Sequence, residues 1–476
     1  MHSEKKIRNL FFGGVLLLAL SACTLGQDYQ RPETLVPIQF KNGAPWKEAR
    51  PSDAVAKGNW WELYHDPVLN GLEENALQAN QNLRAAYARL SQVQANLGIS
   101  RSNQLPRLDL NANGGRQRTA ASLTSPGQDQ LSTQLNLPLV LSYEVDLWGR
   151  VRRSIEASTA DVESARADYQ SLMLTLQAEL ARNYFTLRAV DNETRLLQQT
   201  IELRRSTLSL VKSKFENGRV SQLDLSQAES ELATVEAEAI GLKKRRGELE
   251  NLIAVLMGLP ASNFSLAQVS LRLSPPTIAP GLPSDLLERR PDVAAAERKM
   301  AAASARIGVA KTAFFPAISL TGSTGFASNE TSSLFNWDNR TWGLGPAISL
   351  PIFDYGRNSA KLDKSRAVYE EAIANYRQQV LVAFQEVENG LNGLQVLHEQ
   401  GKALQRATTT ATLAWEISEK RYRSGLVSYL EVVDTQRSAL LRERALVQLR
   451  GEQMSTSVLL IKALGGSWLS DTGKTN

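Results

Sequence analysis

Cysteine is all but missing from this chain of 476 residues: Cys23 stands alone, which excludes an internal disulfide and a thiolate metal site. Histidine is nearly as scarce. Three occur, and past the first residues only His65 and His398 remain, without metal-type spacing, a Ser-centred elbow or a phosphate loop nearby. Gly343-Leu344-Gly345 begins like a dinucleotide fingerprint, yet Ile348 stands where its last glycine belongs, in a stretch that reads as strand. The sequence thus points away from an enzyme and calls for no cofactor. Charge of one sign is also weak, since the formal net charge is +5 and +2 of it sits in the first eight residues. With no basic patch interleaved with aromatics, nucleic acid is not an expected partner. Finally, past the N-terminal segment no apolar run reaches the roughly 18 residues of a membrane helix, so a membrane crossing here requires β-strands.

The N-terminus is more positive evidence. Lys5, Lys6 and Arg8 precede an apolar run from Leu10 to Leu20, which closes on Leu20-Ser21-Ala22-Cys23. That is the layout of an export signal over 1–22, and its apolar run is too short to span a bilayer permanently. An ordinary signal with an incidental cysteine is the plainer alternative. Leu20-Ser21-Ala22-Cys23 also resembles the bacterial lipoprotein box, which implies acylation of Cys23 and a lipid-anchored segment over 23–70.

The sequence repeats itself. At an offset of 210, Leu83, Ala85, Ala86, Leu90, Leu97, Gly98 and Pro106 fall on Val293, Ala295, Ala296, Met300, Ile307, Gly308 and Pro316. The offset then drops to 207, placing Gly149-Arg150 on Gly356-Arg357, Gly218 on Gly425 and Gly258 on Gly465. Two copies, 71–258 and 284–466, are separated by a linker over 259–283 that holds Pro260, Pro275, Pro276, Pro280 and Pro283, and a tail over 467–476 follows.

Each copy begins with an Ala-rich amphipathic helix, near 71–101 and 284–311. After Pro106 and Pro316 the period becomes two: from Leu131 to Val145 odd positions are mostly apolar and even ones mostly polar, and Trp342, Leu344, Ile348, Leu350 and Ile352 repeat the pattern. Strands of this length match those that cross a bilayer tilted, with partners near 107–115 and 317–326. Polar loops at 120–130 and 327–339 join them, with Trp337 and Trp342 suited to an interfacial girdle. The edge of a soluble sandwich is the other reading. Four strands per chain fall short of the eight in the smallest membrane barrels, and lipid tolerates no open edge, so several chains must share one barrel. Proline is then absent from Arg152 to Phe215 and from Asn358 to Tyr422, where apolar residues recur every three or four positions. Helices of about 60 residues would run roughly 90 Å, turn at Gly218 or Gly425, and return over 221–257 and 428–464 as coiled-coil-type hairpins.

Taken together, Trp60-Trp61-Glu62-Leu63 with Asp66-Pro67 and Leu69, Tyr143-Glu144-Val145-Asp146-Leu147-Trp148-Gly149-Arg150, Arg289-Arg290-Pro291-Asp292, and Arg421-Tyr422-Arg423-Ser424-Gly425 leading to Tyr429-Leu430-Glu431-Val432-Val433-Asp434 resemble the TolC-type outer-membrane factor family. The cysteine box places it with the lipoprotein branch, in which Cys23 is acylated, and Thr24 fits outer-membrane delivery. The resemblance implies an α+β membrane protein: a homotrimer whose twelve strands form one outer-membrane barrel continued by a long α-helical periplasmic barrel. It implies partners as well, namely outer-membrane lipid, a periplasmic adapter protein and an inner-membrane RND-type pump. By motif match the adapter-facing turns are Gly218, Arg219, Val220, Ser221, Leu223 and Asp224 in the first copy, and Gly425, Leu426, Val427 and Ser428 in the second. The closing ring at the periplasmic end falls on Leu430 and Asp434, one helical turn apart, with Gln227 opposite Asp434 in the first copy. The implied function is the exit duct of a tripartite efflux system for drugs or other small toxic compounds. Type I protein secretion is an alternative within transport, and a non-conducting coiled-coil tether is one outside it.

Overall fold

The computed structural model describes residues 25–31, 58–120, 131–271, 273–276, 278 and 289–466. Cys23 and most of the first hairpin loop lie outside these residues. The chain divides into two compact units, and helices of both copies contribute to each. One unit takes the described parts of Met1–Thr34, Arg89–Arg166 and Ala295–Arg377, the other those of Leu35–Ala88, Ala167–Ala294 and Gln378–Asn476.

In chain order the elements are α1 (Pro67–Ala79), α2 (Gln81–Ser102), β1 (Arg107–Leu110), β2 (Asn113–Arg118), β3 (Leu131–Val145), α3 (Arg150–Glu216), α4 (Gln222–Leu256), α5 (Pro291–Thr312), β4 (Ala317–Ser328), β5 (Arg340–Ser349), α6 (Arg357–Arg423) and α7 (Tyr429–Ala463). Helices α3 and α6 have 67 residues each, and α4 and α7 have 35 each, so the two copies match in length as well as order.

The helix expected as one piece over 71–101 is two. Asn80 leaves the helical region and its side chain caps α2, accepting from the Leu83 amide at 3.0 Å while donating to the Leu256 carbonyl at 2.8 Å. In the second copy Arg290 makes the equivalent tie but, having no acceptor, does not cap the helix. Preceding Pro291, it is kept out of the helix, and it donates to the Ala463 carbonyl at 3.0 Å. Leu256 and Ala463 are themselves equivalent positions, so each copy ties the start of its short helix to the end of its returning one. Burial works to raise the Asp292 carboxyl, but hydrogen bonds and charge from Arg290 hold it below its ordinary value.

All strand pairing is antiparallel, in the order β1-β3-β4-β5 with β2 also on β3. The strand expected over 107–115 is interrupted because the opposing residue is Pro138, which has no N–H to give. Asn111 there donates to the Pro138 carbonyl at 3.0 Å, and pairing resumes at Asn113. On the other side Gly325 faces the same proline so closely that a Cβ would lie 2.2 Å from the Leu137 carbonyl oxygen. The second strand of the second copy ends at Ser349, short of the expected Ile352.

Register assigns the two faces. Val145, Ile318 and Ile348 lie in line on one face, with Tyr143, Leu320, Leu344 and Trp342, while Glu144, Ser319, Ser142 and Thr321 share the other. Among the described residues nothing covers the apolar face around Trp342 and Ile348, which are 80% and 70% exposed. No described helix is long and apolar enough to cross a membrane, which bears on helices alone.

In the other unit the WW…DP motif anchors the core. Trp60 and Trp61 are buried with Leu69, Leu180, Phe185, Ile253 and Val458. Asp66 caps α1 through the Val68 and Leu69 amides and accepts a 2.6 Å hydrogen bond from the Tyr184 hydroxyl. The first part of the linker, after Pro260, is strapped down: Arg188 donates to the Ala267 carbonyl, Asn192 to that of Leu271, and Arg246 to that of Leu266, around the fully buried Asp191.

Among the described residues with buried, unbonded polar atoms, Glu73 is the acid that lacks a partner on both oxygens. Both Glu73 carboxylate oxygens are buried and unbonded, and burial raises its pKa well above the ordinary 4.5. The unfolded chain releases that proton near 4.5 while the folded chain retains it, so folded stability falls as pH rises above this value. Glu73→Gln is therefore expected to raise the thermal unfolding temperature at neutral pH, with the gain vanishing below about pH 4. An equal gain at both pH values in calorimetry would count against the buried neutral acid.

Candidate functional site

The two helical turns are built alike. At the end of α3 the Gly218 amide donates to the Phe215 carbonyl at 2.8 Å and the Arg219 amide to that of Lys214 at 2.9 Å. At the end of α6 Gly425 donates to Tyr422 at 3.0 Å and Leu426 to Arg421 at 2.9 Å. This paired closure needs a left-handed residue, and φ is +66° at Gly218 and +77° at Gly425, with open space where a Cβ would stand. Dihedral angle, not crowding, demands glycine here.

The turns differ in how the next helix begins. Ser221 and Asp224 form a closed capping box: the Asp224 amide donates to the serine hydroxyl at 3.3 Å, and the Ser221 amide to the Asp224 carboxylate at 2.9 Å. Ser428 makes no such bond, and the Glu431 side chain lies 3.6 Å from Arg421 across the turn. Between the tips, Val211, Leu225, Ala228, Tyr422, Tyr429, Val432 and Val433 form one buried cluster. The Lys214 ammonium sits 4.0 Å from the Tyr422 ring centre.

Around this cluster the anticipated contact residues face outward. Arg219, Ser221 and Ser428 are exposed, Leu223 and Leu426 are 66% and 69% exposed, and Val220, Asp224 and Val427 are half-buried. Leu430 and Asp434 are both exposed, on the face of α7 opposite Val432, Val433 and Gln436. Leu430 and Asp434 therefore share a surface, whereas Gln227 is half-buried.

Sequence reasoning missed the polar joint beneath that face. Glu231 on α4 is buried between Arg204 of α3, at 2.8 Å, and Arg437 of α7, whose Nε donates to it at 2.7 Å. The hydrogen bond to Glu231 raises the Arg437 guanidinium above its ordinary value, and the Glu231 and Asp434 charges add to it. One heptad further, Arg444 binds Glu238 at 2.8 Å and Glu193 at 2.9 Å. The signal was present: Glu231 and Glu238 on one helix, Arg437 and Arg444 on the other, both seven apart. Comparing the copies hides it, since the partners stand 206 apart and the repeat offset is 207, so Glu231 aligns with Ser438 and Arg437 with Ser230.

The fold is that of solved outer-membrane channels. Over 94% of this chain it superposes on the outer-membrane channel OprN, covering 100% of that chain, with a TM-score of 0.84 and 31% identity. Over 94% it also superposes on the CmeC channel of Campylobacter jejuni, covering 95% of it, with a TM-score of 0.83 and 27% identity. The chain belongs to the outer membrane efflux protein family, whose profile matches residues 72–259 and 282–466. Among its relatives are the probable efflux pump outer membrane protein TtgC of Pseudomonas putida, 34% identical over 98% of each chain. The outer membrane protein OprJ of Pseudomonas aeruginosa is 32% identical over 97% of this chain and 96% of its own.

The capping difference yields a test. Ser221→Ala should cost the first turn about 1 kcal/mol, read as faster hydrogen exchange at the first amides of α4. Ser428→Ala, which removes no cap bond, should leave exchange at the start of α7 unchanged; equal acceleration in both would contradict the asymmetry.

Proposed function

We propose that this chain is the exit duct of a tripartite efflux system, that three copies close one twelve-stranded outer-membrane barrel, and that Cys23 carries the lipid anchor. The carrying observation is the sheet: its apolar face is uncovered and both outer strands, β1/β2 and β5, have an unpaired side among the described residues. Lipid tolerates such a sheet only if other copies pair its edges, and four strands per chain reach a closed barrel in multiples of four. The relatives supply the cargo class. One is named for toluene efflux and another for antibiotic efflux, so small toxic organic compounds are the proposed freight.

The tips are the proposed ends of the duct. Exposed Leu223 and Leu426 beside glycine turns offer an adapter protein an apolar, rigidly shaped contact. An inner-membrane pump would join through that adapter. Leu430 and Asp434, together on the exposed face of α7, are the proposed closing rings, three carboxylates making the constriction attractive to cations.

Leu430→Ala with Asp434→Ala should raise single-channel conductance by about twofold or more and reduce cation preference. Unchanged conductance and unchanged permeability of the cells to large antibiotics would remove these residues from the gate. Separately, Gly218→Val or Gly425→Val forces a side chain into a conformation costing about 1–2 kcal/mol. Efflux should be abolished while the heat-modifiable oligomer persists on gels; loss of the oligomer instead would make these glycines purely structural.

A further inference from the structure

Between α5 and α6, where the polar face of the sheet ends, lies a hollow of about 670 Å³, a size suited to a drug-like molecule. Its walls and rim differ in kind. Ala303, Val309, Ala310, Ala313, Phe315 and Val368 make an apolar floor, on which Phe315 and Val368 remain 37% and 40% exposed. Arg150, Arg306, Lys361 and Lys364 stand around it, with Glu144 the one carboxylate. Two of the cations are already engaged: Arg150 grips Glu144 through two hydrogen bonds, at 2.6 and 2.5 Å, and Arg306 pairs with Asp161. Lys361 and Lys364, three residues apart on α6, have no ion-pair partner among the described residues.

Apolar surface rimmed by unmatched positive charge selects an amphipathic anion. We infer that this hollow binds organic anions with an apolar body and a carboxylate or sulfonate end, the body on the Ala310–Phe315 floor and the charge at Lys361 and Lys364. Strand register puts Glu144, Ala317 and Ser349, which line it, on the polar side of the sheet, so the site opens away from the apolar face. On the duct reading that side is the lumen, and the hollow is a resting place for anionic cargo on the channel wall. Binding itself requires only that this side be wet.

Taurocholate, an amphipathic sulfonate, is a direct probe of the full-length protein in planar bilayers. Concentration-dependent interruptions of the current are expected, whereas tetraphenylphosphonium, an apolar cation, should cause none. Lys361→Gln with Lys364→Gln should shorten the interruptions about tenfold. Ala310→Trp, which fills the floor and leaves the charges, should also remove them, both variants keeping unitary conductance. Equal interruption by the cation, or persistence in both variants, overturns the site; absence of any current contradicts the duct instead. The wild-type protein alone decides the matter if neither variant assembles: taurocholate should protect Lys361 and Lys364 from acetylation, read by mass spectrometry, while exposed Lys244 reacts as before. Equal labelling with and without taurocholate overturns the site.

Discussion

An open sheet edge cannot be left in hydrocarbon, because each unpaired N–H and C=O there lacks the water that would satisfy it. The rest of this architecture follows from that constraint. A single copy of the repeat offers one hairpin, two copies offer a four-stranded sheet, and neither closes. What the duplication achieves within one chain is the β3–β4 pairing, which joins the copies through eleven register pairs from Leu135–Ser328 to Val145–Ile318. The remaining edges fall to other copies on the duct reading, and the helices that leave the strands inherit the same order. Residues at the strand–helix junctions are accordingly fixed by strong local bonds. Asp146 accepts from the Val151 and Arg152 amides, Asp354 from the Gly356 and Asn358 amides, and the Trp148 indole donates to the Pro316 carbonyl.

Within this plan the copies are equivalent in backbone and unequal in charge. Asn80 and Arg290 tie equivalent helix ends by different chemistry, one amide and one guanidinium. Only the second is a buried ion in need of counter-charges, supplied by Asp292 and Glu386 at 2.6 Å each. At the joint between α4 and α7 the acids, Glu231 and Glu238, belong to the first copy and the bases, Arg437 and Arg444, to the second, so these two pairs run between copies. Duplication followed by charge segregation thus specifies which helix neighbours which, a use of buried polar groups distinct from adding net stability.

Much of this was legible because its signals are periodic. Strand β3 begins and ends where the alternation does, and α3, α4, α6 and α7 fall within two residues of the proline-free amphipathic stretches that announce them. Local exceptions were less legible. Nothing in the helical pattern around Asn80 marks a break, since its cause is a carbonyl 176 residues away. The gap in the first strand is caused by Pro138 on its neighbour, which becomes relevant only once register is known. At the tips, glycine positions and the outward side chains were readable; the Glu231 joint was not, since it needs three helices together.

That joint bears on how the tips can be displaced. The exposed pair of Arg421 and Glu431, at 3.6 Å, adds little to holding the second turn, as exposed pairs usually do. Its position depends instead on the shared apolar cluster of Tyr422, Tyr429, Val432 and Val433, and on Arg437 reaching Glu231. Removing one partner of a buried pair normally strands a charge in a poor medium. Here Glu231, 7% exposed, keeps Arg204, itself 4% exposed, when Arg437 departs. Arg437 is 59% exposed and recovers its hydration on leaving. The first copy thus carries a self-sufficient buried pair, and the second borrows from it through a residue that water can take back. Displacing α7 from α4 therefore costs chiefly apolar contact, and the side of the joint that gives is the one bearing Leu430 and Asp434.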